Sequence, residues 1–274
     1  MAVEAPFITR QERFALVGST NDVVRDWLAA GEREVCLAVA DEQSAGRGRE
    51  NRTWSAPAGR ALLLSLGFRP TWLAPDRVWR LAGTVAMAMA DAAEEVAGLK
   101  DGSIRLKWPN DLVVEDEGRQ GSPGAVRKLA GVLGETDGLG TADPRAVVGI
   151  GINADWPAAE FPPELAGSMT SLREASGGRP IDLALLLDAF TARLEVRIAA
   201  LRGGRFDVAD YVARQLTNGR LVRLEGHDGR SEVVRALRVD AVGGSLVVED
   251  PAMPGGERQV VSGEIRHLRL DEAV

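Results

Sequence analysis

Two neighbouring stretches restrict this chain to folds in which a helix lies against a sheet. Residues 61–68, Ala-Leu-Leu-Leu-Ser-Leu-Gly-Phe, are an almost unbroken apolar run that suits a buried strand. Shortly after it, Pro75 opens a helical period that puts Val78, Leu81, Val85, Met89, Ala93 and Val96 on one face, and Gly98 closes it. A buried strand and an apolar helical face this close in sequence must pack together.

The theme recurs along the chain. A short helix is expected over 19–30, with Ser19 or Thr20 as cap, Asp22 in the first turn and Gly31 as stop. A strand follows over 34–39, and then a loop rich in Gly, Arg and Pro over 46–59. Further strands are expected over 104–108, 112–114, 129–133 and 147–152, separated by the turn Pro109-Asn110-Asp111 and by a polar, glycine-rich stretch over 115–127. A second long helix spans 181–201, with Leu183, Leu187, Phe190, Leu194 and Ile198 in register. From about residue 216 the texture changes to short β-like runs near 221–225, 233–239, 245–249 and 258–261, punctuated by Gly226, Gly229, Gly243-Gly244 and Pro254-Gly255-Gly256. The expected fold is therefore α/β of the α+β type, with a mixed-sheet domain over 1–217 and a small β-barrel over 218–274.

Composition narrows the functions. At 274 residues and 45% hydrophobic, the chain can bury a sizeable core. Its one cysteine, Cys36, sits in the apolar run Val35-Cys36-Leu37-Ala38-Val39, so neither a disulfide framework nor a CxxC pair exists, as suits a reducing cytoplasm. His227 and His267 are isolated and offer no zinc spacing. Residues 1–13 lack a signal pattern, and the low-charge stretch 81–90 is far short of the ~20 residues that span a bilayer, so a soluble, cytoplasmic protein without membrane contact is expected. A net charge of −7 argues against general attraction for nucleic acid. Any anion site must be local.

Five segments could form one. In Gly46-Arg47-Gly48-Arg49-Glu50-Asn51-Arg52-Thr53-Trp54, glycines let backbone N–H groups converge on an anion while guanidinium forks grip phosphate or carboxylate. An isolated loop of this kind is usually only a solvated basic one. Its glycines and mutually repelling arginines suggest a loop held in place only when an anion arrives. Lys107-Trp108-Pro109-Asn110-Asp111 delivers a lysine at a strand end and then turns sharply, which alone is ordinary turn chemistry. Lys128-Leu129-Ala130-Gly131 places a lysine at the head of an apolar strand, with Gly131 permitting close approach. Gly149-Ile150-Gly151-Ile152-Asn153 lacks the third glycine of a dinucleotide fingerprint, and no GxxxxGK[ST] loop occurs anywhere. Ser19-Thr20-Asn21 serves as a helix cap, and a helix N-terminus also offers donors to a ligand.

Together and in this order, from about Phe14 to Arg269, these segments resemble the biotin–protein ligase family, in the type without an N-terminal DNA-binding domain. Residues 262–268, Ser-Gly-Glu-Ile-Arg-His-Leu, resemble the end of that family's small SH3-like domain. The resemblance implies an enzyme that joins biotin to ATP as biotinyl-5′-AMP and then passes biotin to a lysine of a biotin carboxyl carrier protein domain. Both reactants of the first step are anions, and at ~4 Å with an effective dielectric near ~20 each pair of unit charges is worth roughly 4 kcal/mol, so cations are required. By resemblance, Lys128 would bridge the biotin carboxylate and the α-phosphate, Arg49, Arg52 and Lys107 would orient the phosphates, and Mg2+ would offset remaining charge; no ligand for the metal is assigned. Ser19, Thr20, Asn21, Gln43, Arg47, Gly48, Arg49 and Lys128 would bind biotin. Arg49, Arg52, Trp54, Lys107, Asn110, Lys128 and Asn153 would face the nucleotide, with Trp54 shielding the adenylate. Asp111 would bind the nucleotide or receive the acceptor amine's proton.

The chain departs from the family at Glu50-Asn51, where a basic residue and glycine are usual, at Ala56, where a serine is usual, and between Asp111 and Lys128, where the connection is long. A lipoate or octanoate ligase shares the catalytic logic, but the GRGR and KWPND pairing favours biotin. A biotin-sensing regulator would need a helix-turn-helix ahead of Gly18-Ser19-Thr20-Asn21, which leaves no room for one, so no specific DNA binding is expected.

Overall fold

The computed structural model describes residues 6–116, 124–225, 230–261 and 264–267. Part of the long connection before Lys128, His227 and the residues Ser262, Gly263 and Leu268 lie outside the described residues. A seven-stranded mixed sheet runs in the order β1-β2-β3-β7-β6-β5-β4, built from Arg10–Phe14 (β1), Cys36–Ala40 (β2), Ala61–Phe68 (β3), Ile104–Lys107 (β4), Asp111–Glu115 (β5), Val126–Asp137 (β6) and Arg145–Asn153 (β7). Only β1–β2 is parallel; every other pair in it is antiparallel. The helices are Thr20–Ala29 (α1), Trp79–Ala97 (α2), Leu172–Ala175 (α3), Leu183–Arg202 (α4) and Val208–Arg214 (α5).

The apolar run 61–68 is β3, buried along its whole length because the sheet is covered on both sides. Leu62, Leu64, Leu66 and Phe68 join the large core under α2 and α4, while Ala61, Leu63, Ser65 and Gly67 face the other way. On that second face α1 packs so closely that a Cβ on Gly67 would meet Cys36 Sγ at 2.6 Å and Val24 at 2.7 Å. Cys36 is fully buried there, and burial pushes its thiol up to about 11, so it is inert packing. Helix α2 ends where the sequence places its stop, with Gly98 left-handed at φ 56°. Its Pro75 start is a separate 3₁₀ turn, Pro75–Arg77, leading into the helix.

A second, antiparallel sheet contains Leu221–Glu225 (β8), Ser231–Val239 (β9), Leu246–Glu249 (β10), Glu257–Val260 (β11) and Glu264–His267 (β12), in the order β11-β10-β9-β8-β12. It is the SH3-like C-terminal unit. Its inward residues Val222, Leu224, Ala236, Leu246 and Val248 merge with the large core. Two tryptophans fasten the turn between β9 and β10: Trp79 Nε1 donates to Val242 O at 3.2 Å and Trp108 Nε1 to Gly244 O at 3.1 Å. Gly244 must be glycine here, since its φ is 76° and a Cβ would come within 2.8 Å of the Trp79 ring.

Candidate functional site

The glycine-rich motifs are explained by alternation along β7. Ile150 and Ile152 enter the core under the helices, which turns Gly149, Gly151 and Asn153 to the opposite face. There each glycine leaves room for a functional side chain. A Cβ on Gly149 would sit 2.1 Å from Asn21 Oδ1, and one on Gly151 would sit 2.5 Å from Trp54 Nε1. Asn153 Nδ2 donates to Thr170 O at 2.9 Å, tying the sheet to the segment beyond it.

Lys128 and Gly131 lie three positions apart, an odd separation that an unbroken strand would place on opposite faces. The pairing shifts between Leu112 and Val113, so that Leu112 pairs with Ala130 and Val113 with Lys128. This bulge at Leu129 buries Leu129 and Ala130 together and returns Lys128 to the face of Gly131, whose virtual Cβ is 3.4 Å from Lys128 Nζ. Lys128 Nζ then lies 2.6 Å from Asp111 Oδ1 and 5.5 Å from the Trp54 ring centroid. Lys107 Nζ reaches the other oxygen of Asp111 at 3.9 Å, so Asp111 stands between two lysines. Asn110 is fixed to β6 by exchanging hydrogen bonds with Val132, Nδ2 to O at 2.8 Å and O from N at 2.9 Å.

These groups line a cavity of about 870 Å³. Ser19, Thr20, Asn21, Gln43, Arg47, Gly48, Arg49, Arg52, Trp54, Asn110, Asp111, Lys128 and Asn153 all contribute to it. Lys107 instead lines an adjoining cavity of about 210 Å³, to which Asn110 and Asp111 are common. The floor, beyond what the sequence indicated, includes Trp156, Phe161 and Met169, with Trp156 and Phe161 edge to face at 5.7 Å.

One end of the cavity is neutral and polar. Ser19 is the N-cap of α1, as expected, but its side chain makes no capping bond; instead Gln43 Oε1 accepts the Thr20 N–H at 2.8 Å. Thr20 Oγ1 lies 2.6 Å from Ser65 Oγ, which donates to Asn21 Oδ1 at 2.5 Å. Sequence reading missed Ser65, although a polar residue inside the run 61–68 was a signal: a hydroxyl in a fully buried strand needs partners. It also missed Asp22 and Glu135 as partners of the loop.

Lys128, Arg49 and Arg52 also line the cavity, together with the carboxylates of Asp111, Glu42, Glu160 and Glu164. Arg47 and Arg52 of the loop have carboxylate partners within the chain. Arg47 donates to Asp22 at 2.7 Å and to Glu135 at 3.1 Å, and Arg52 lies 3.5 Å from Glu50. The Arg47 hydrogen bond, with Arg25 assisting against partial burial, holds the Asp22 carboxyl below the usual range, and the same bond raises Arg47. Glu50 adopts a left-handed conformation, φ 55° and ψ 40°, at a position where the resemblance implied a basic residue. A chamber whose wall combines uncharged hydrogen-bonding groups, aromatic residues and cations suits a ligand pair that is polar and uncharged in one part and anionic in another.

Comparison with known proteins agrees. The model for the biotin/lipoate A/B protein ligase family matches residues 14–153. A biotin–[acetyl-CoA-carboxylase] ligase of Mycobacterium tuberculosis is 32% identical over 259 residues, which are 93% of this chain and 88% of that protein. The bifunctional ligase/repressor BirA of Bacillus subtilis is 31% identical over 162 residues, 59% of this chain and 46% of that one. A biotin protein ligase of Aquifex aeolicus, solved in complex with biotin and ATP, superposes with a TM-score of 0.73 at 23% identity, covering 96% of this chain and all of that one. With the family's motifs converging on one cavity and its architecture reproduced, this chain belongs to the biotin/lipoate A/B protein ligase family, among its biotin–protein ligases.

Proposed function

We propose that the chain activates biotin with ATP, forming biotinyl-5′-AMP and pyrophosphate, and then transfers biotin to the lysine of a biotin carboxyl carrier protein domain of a carboxylase. The observation that carries this reading is one cavity lined both by the uncharged polar group of Thr20, Asn21 and Gln43 and by Lys128, Arg49 and Arg52. Thr20, Asn21 and Gln43, with Ser19, Gly48 and Arg47 beside them, hold the uncharged ring head of biotin. The carboxylate tail then points towards Lys128, which bridges it to the α-phosphate and stabilises the charge that redistributes as the carboxylate oxygen attacks phosphorus and pyrophosphate departs. Arg49, Arg52 and Lys107 orient the phosphates, Asn110 and Asn153 border the nucleotide, and Trp54 lies over Gly131 and Gly151 to exclude water.

Asp111 keeps Lys128 in place before the phosphate arrives, through their 2.6 Å contact. When the acceptor amine attacks the adenylate, the same carboxylate takes its proton. Among the described residues no cluster of three or more His, Cys, Asp or Glu side chains could hold a metal. We assign the magnesium ion to the triphosphate, since that ion is commonly held by phosphate oxygens and few protein ligands. Residues 1–217 act as the catalytic domain and 218–274 as the small SH3-like unit. No helix among the described residues is long and apolar enough to cross a membrane; a cytoplasmic enzyme without DNA affinity fits the reduced Cys36 and the net charge of −7.

The direct test is to incubate the chain with ATP, magnesium, biotin and a carrier domain and measure the carrier's intact mass. One added biotinyl group, abolished when the acceptor lysine is replaced by arginine, is expected. An unmodified carrier overturns the acceptor assignment.

A further inference from the structure

Glu135 on β6 touches both the loop and α1. Its Oε2 accepts from Asn21 Nδ2 at 2.7 Å, from Arg25 at 2.9 Å and from Arg47 at 3.1 Å. Thr20, Asn21 and Arg47 line the cavity, and Glu135 stands behind them.

A carboxylate paired with two guanidinium groups only accepts hydrogen bonds, so Asn21 must present its amide NH2 to Glu135 and its Oδ1 to Ser65. Ser65 has one hydroxyl proton, and the 2.5 Å contact with Asn21 Oδ1 uses it. Its oxygen can then only accept across the 2.6 Å contact with Thr20 Oγ1. Thr20 also lies 3.0 Å from Gln43 Oε1, but its single proton cannot serve both. Giving it to Gln43 would leave two hydroxyl oxygens 2.6 Å apart with no proton between them. The consistent order runs from Thr20 O–H to Ser65 O–H to Asn21 Oδ1, with Gln43 Oε1 satisfied by the Thr20 backbone N–H at 2.8 Å.

We infer that Glu135 is a positioning residue for the cyclic urea head of biotin. From outside the cavity it sets the proton direction of the Asn21–Ser65–Thr20 chain, and hence which wall atoms donate and which accept. It also ties that chain to Arg47 of the loop. The inference rests on the biotin reading of the cavity. Nothing in the motif set drew attention to Glu135, because a charged residue far along a half-exposed strand usually faces solvent.

The test is biotin-dependent ATP–pyrophosphate exchange by the full chain, with biotin varied at saturating ATP. Glu135→Gln keeps the shape, but its amide can donate to Asn21 and reverse the chain. It should raise the KM for biotin at least about tenfold, equivalent to about 1.4 kcal/mol, while kcat stays within about threefold, the pattern of lost ligand binding. Ser65→Ala should raise KM comparably, and the double variant should exceed the worse single one by less than about twofold, because both cut the same chain. A KM within about twofold of the parent, effects that simply multiply, or a loss confined to kcat would each overturn the role. If Glu135→Gln fails to fold by circular dichroism, Ser65→Ala decides, and an unchanged KM sinks the chain. Absence of biotin-dependent exchange in the parent protein overturns the biotin reading itself, a different outcome from a parent that works and a variant that matches it.

Discussion

At Gly151 one methyl group decides whether Trp54 can lie against the sheet. A Cβ there would fall 2.5 Å from the indole nitrogen, so Gly151→Ala should displace the ring and slow adenylate formation about 10²-fold, as small misplacements at a reacting centre can do. The thermal midpoint should not fall, because alanine is no worse than glycine within a strand; a variant with normal exchange rates would show that Trp54 shields nothing. Lys128→Ala tests the chemistry itself. Its side chain is 39% exposed, so truncation opens no core cavity, yet exchange at saturating substrates should drop ~10²–10³-fold. Near-normal exchange would remove Lys128 from its role. That Lys128, Asn153 and Arg49 would line one cavity was legible because their motifs set them at strand ends or on a glycine-rich loop. Ser65 and Glu135 were not, since their significance lies in partners 44 and 114 residues away from Asn21 along the chain.

Elements were legible where an apolar period was long and missed where it was short or absent. β3, α2 and α4 follow directly from their patterns. β1 was not seen, because an edge strand with Gln11, Glu12 and Arg13 exposed shows no apolar signal. Nor was α5, a two-turn helix fixed by charge rather than by an apolar stripe. Its Arg214, 8% exposed, reaches Glu94, Asp91 and Asp210, and Glu94 also accepts the Ile104 N–H. Burial pulls the Arg214 pKa down, but these carboxylates more than reverse it, and the net shift is upward. Arg214→Ala strands the Glu94 charge in the core and should cost ~3–5 kcal/mol in urea unfolding, whereas Arg214→Met with Glu94→Leu should recover most of it. A single-variant loss below ~1 kcal/mol would mean the pair is solvated. Arg47 ties the first half of the loop over 46–59 to Asp22 and Glu135, so ligand should act most on its second half. Tryptic cleavage after Arg49 or Arg52 should slow several-fold with biotin and ATP together, and equal rates with and without them would contradict closure.

For the whole molecule, the combination of motifs outweighed each one alone. GRGR, KWPND, KLAG and GIGIN are each ordinary in isolation, and the sheet brings them to one face through strand alternation and the bulge at Leu129. The sequence could not reveal that Trp108 of KWPND anchors the C-terminal sheet through Gly244 rather than lining the main cavity. An acidic chain should also give no sequence-specific duplex retardation at ~0.15 M salt; a shifted band that depends on sequence would refute this. The cavity is expected to select biotin as the carboxylic acid to be activated. Pyrophosphate exchange into ATP, measured with biotin, octanoate and lipoate in parallel on the unmodified chain, tests it most directly. Exchange that depends on biotin, with the other two acids near background, is the expected result; faster exchange with octanoate or lipoate, or none with biotin, would contradict it.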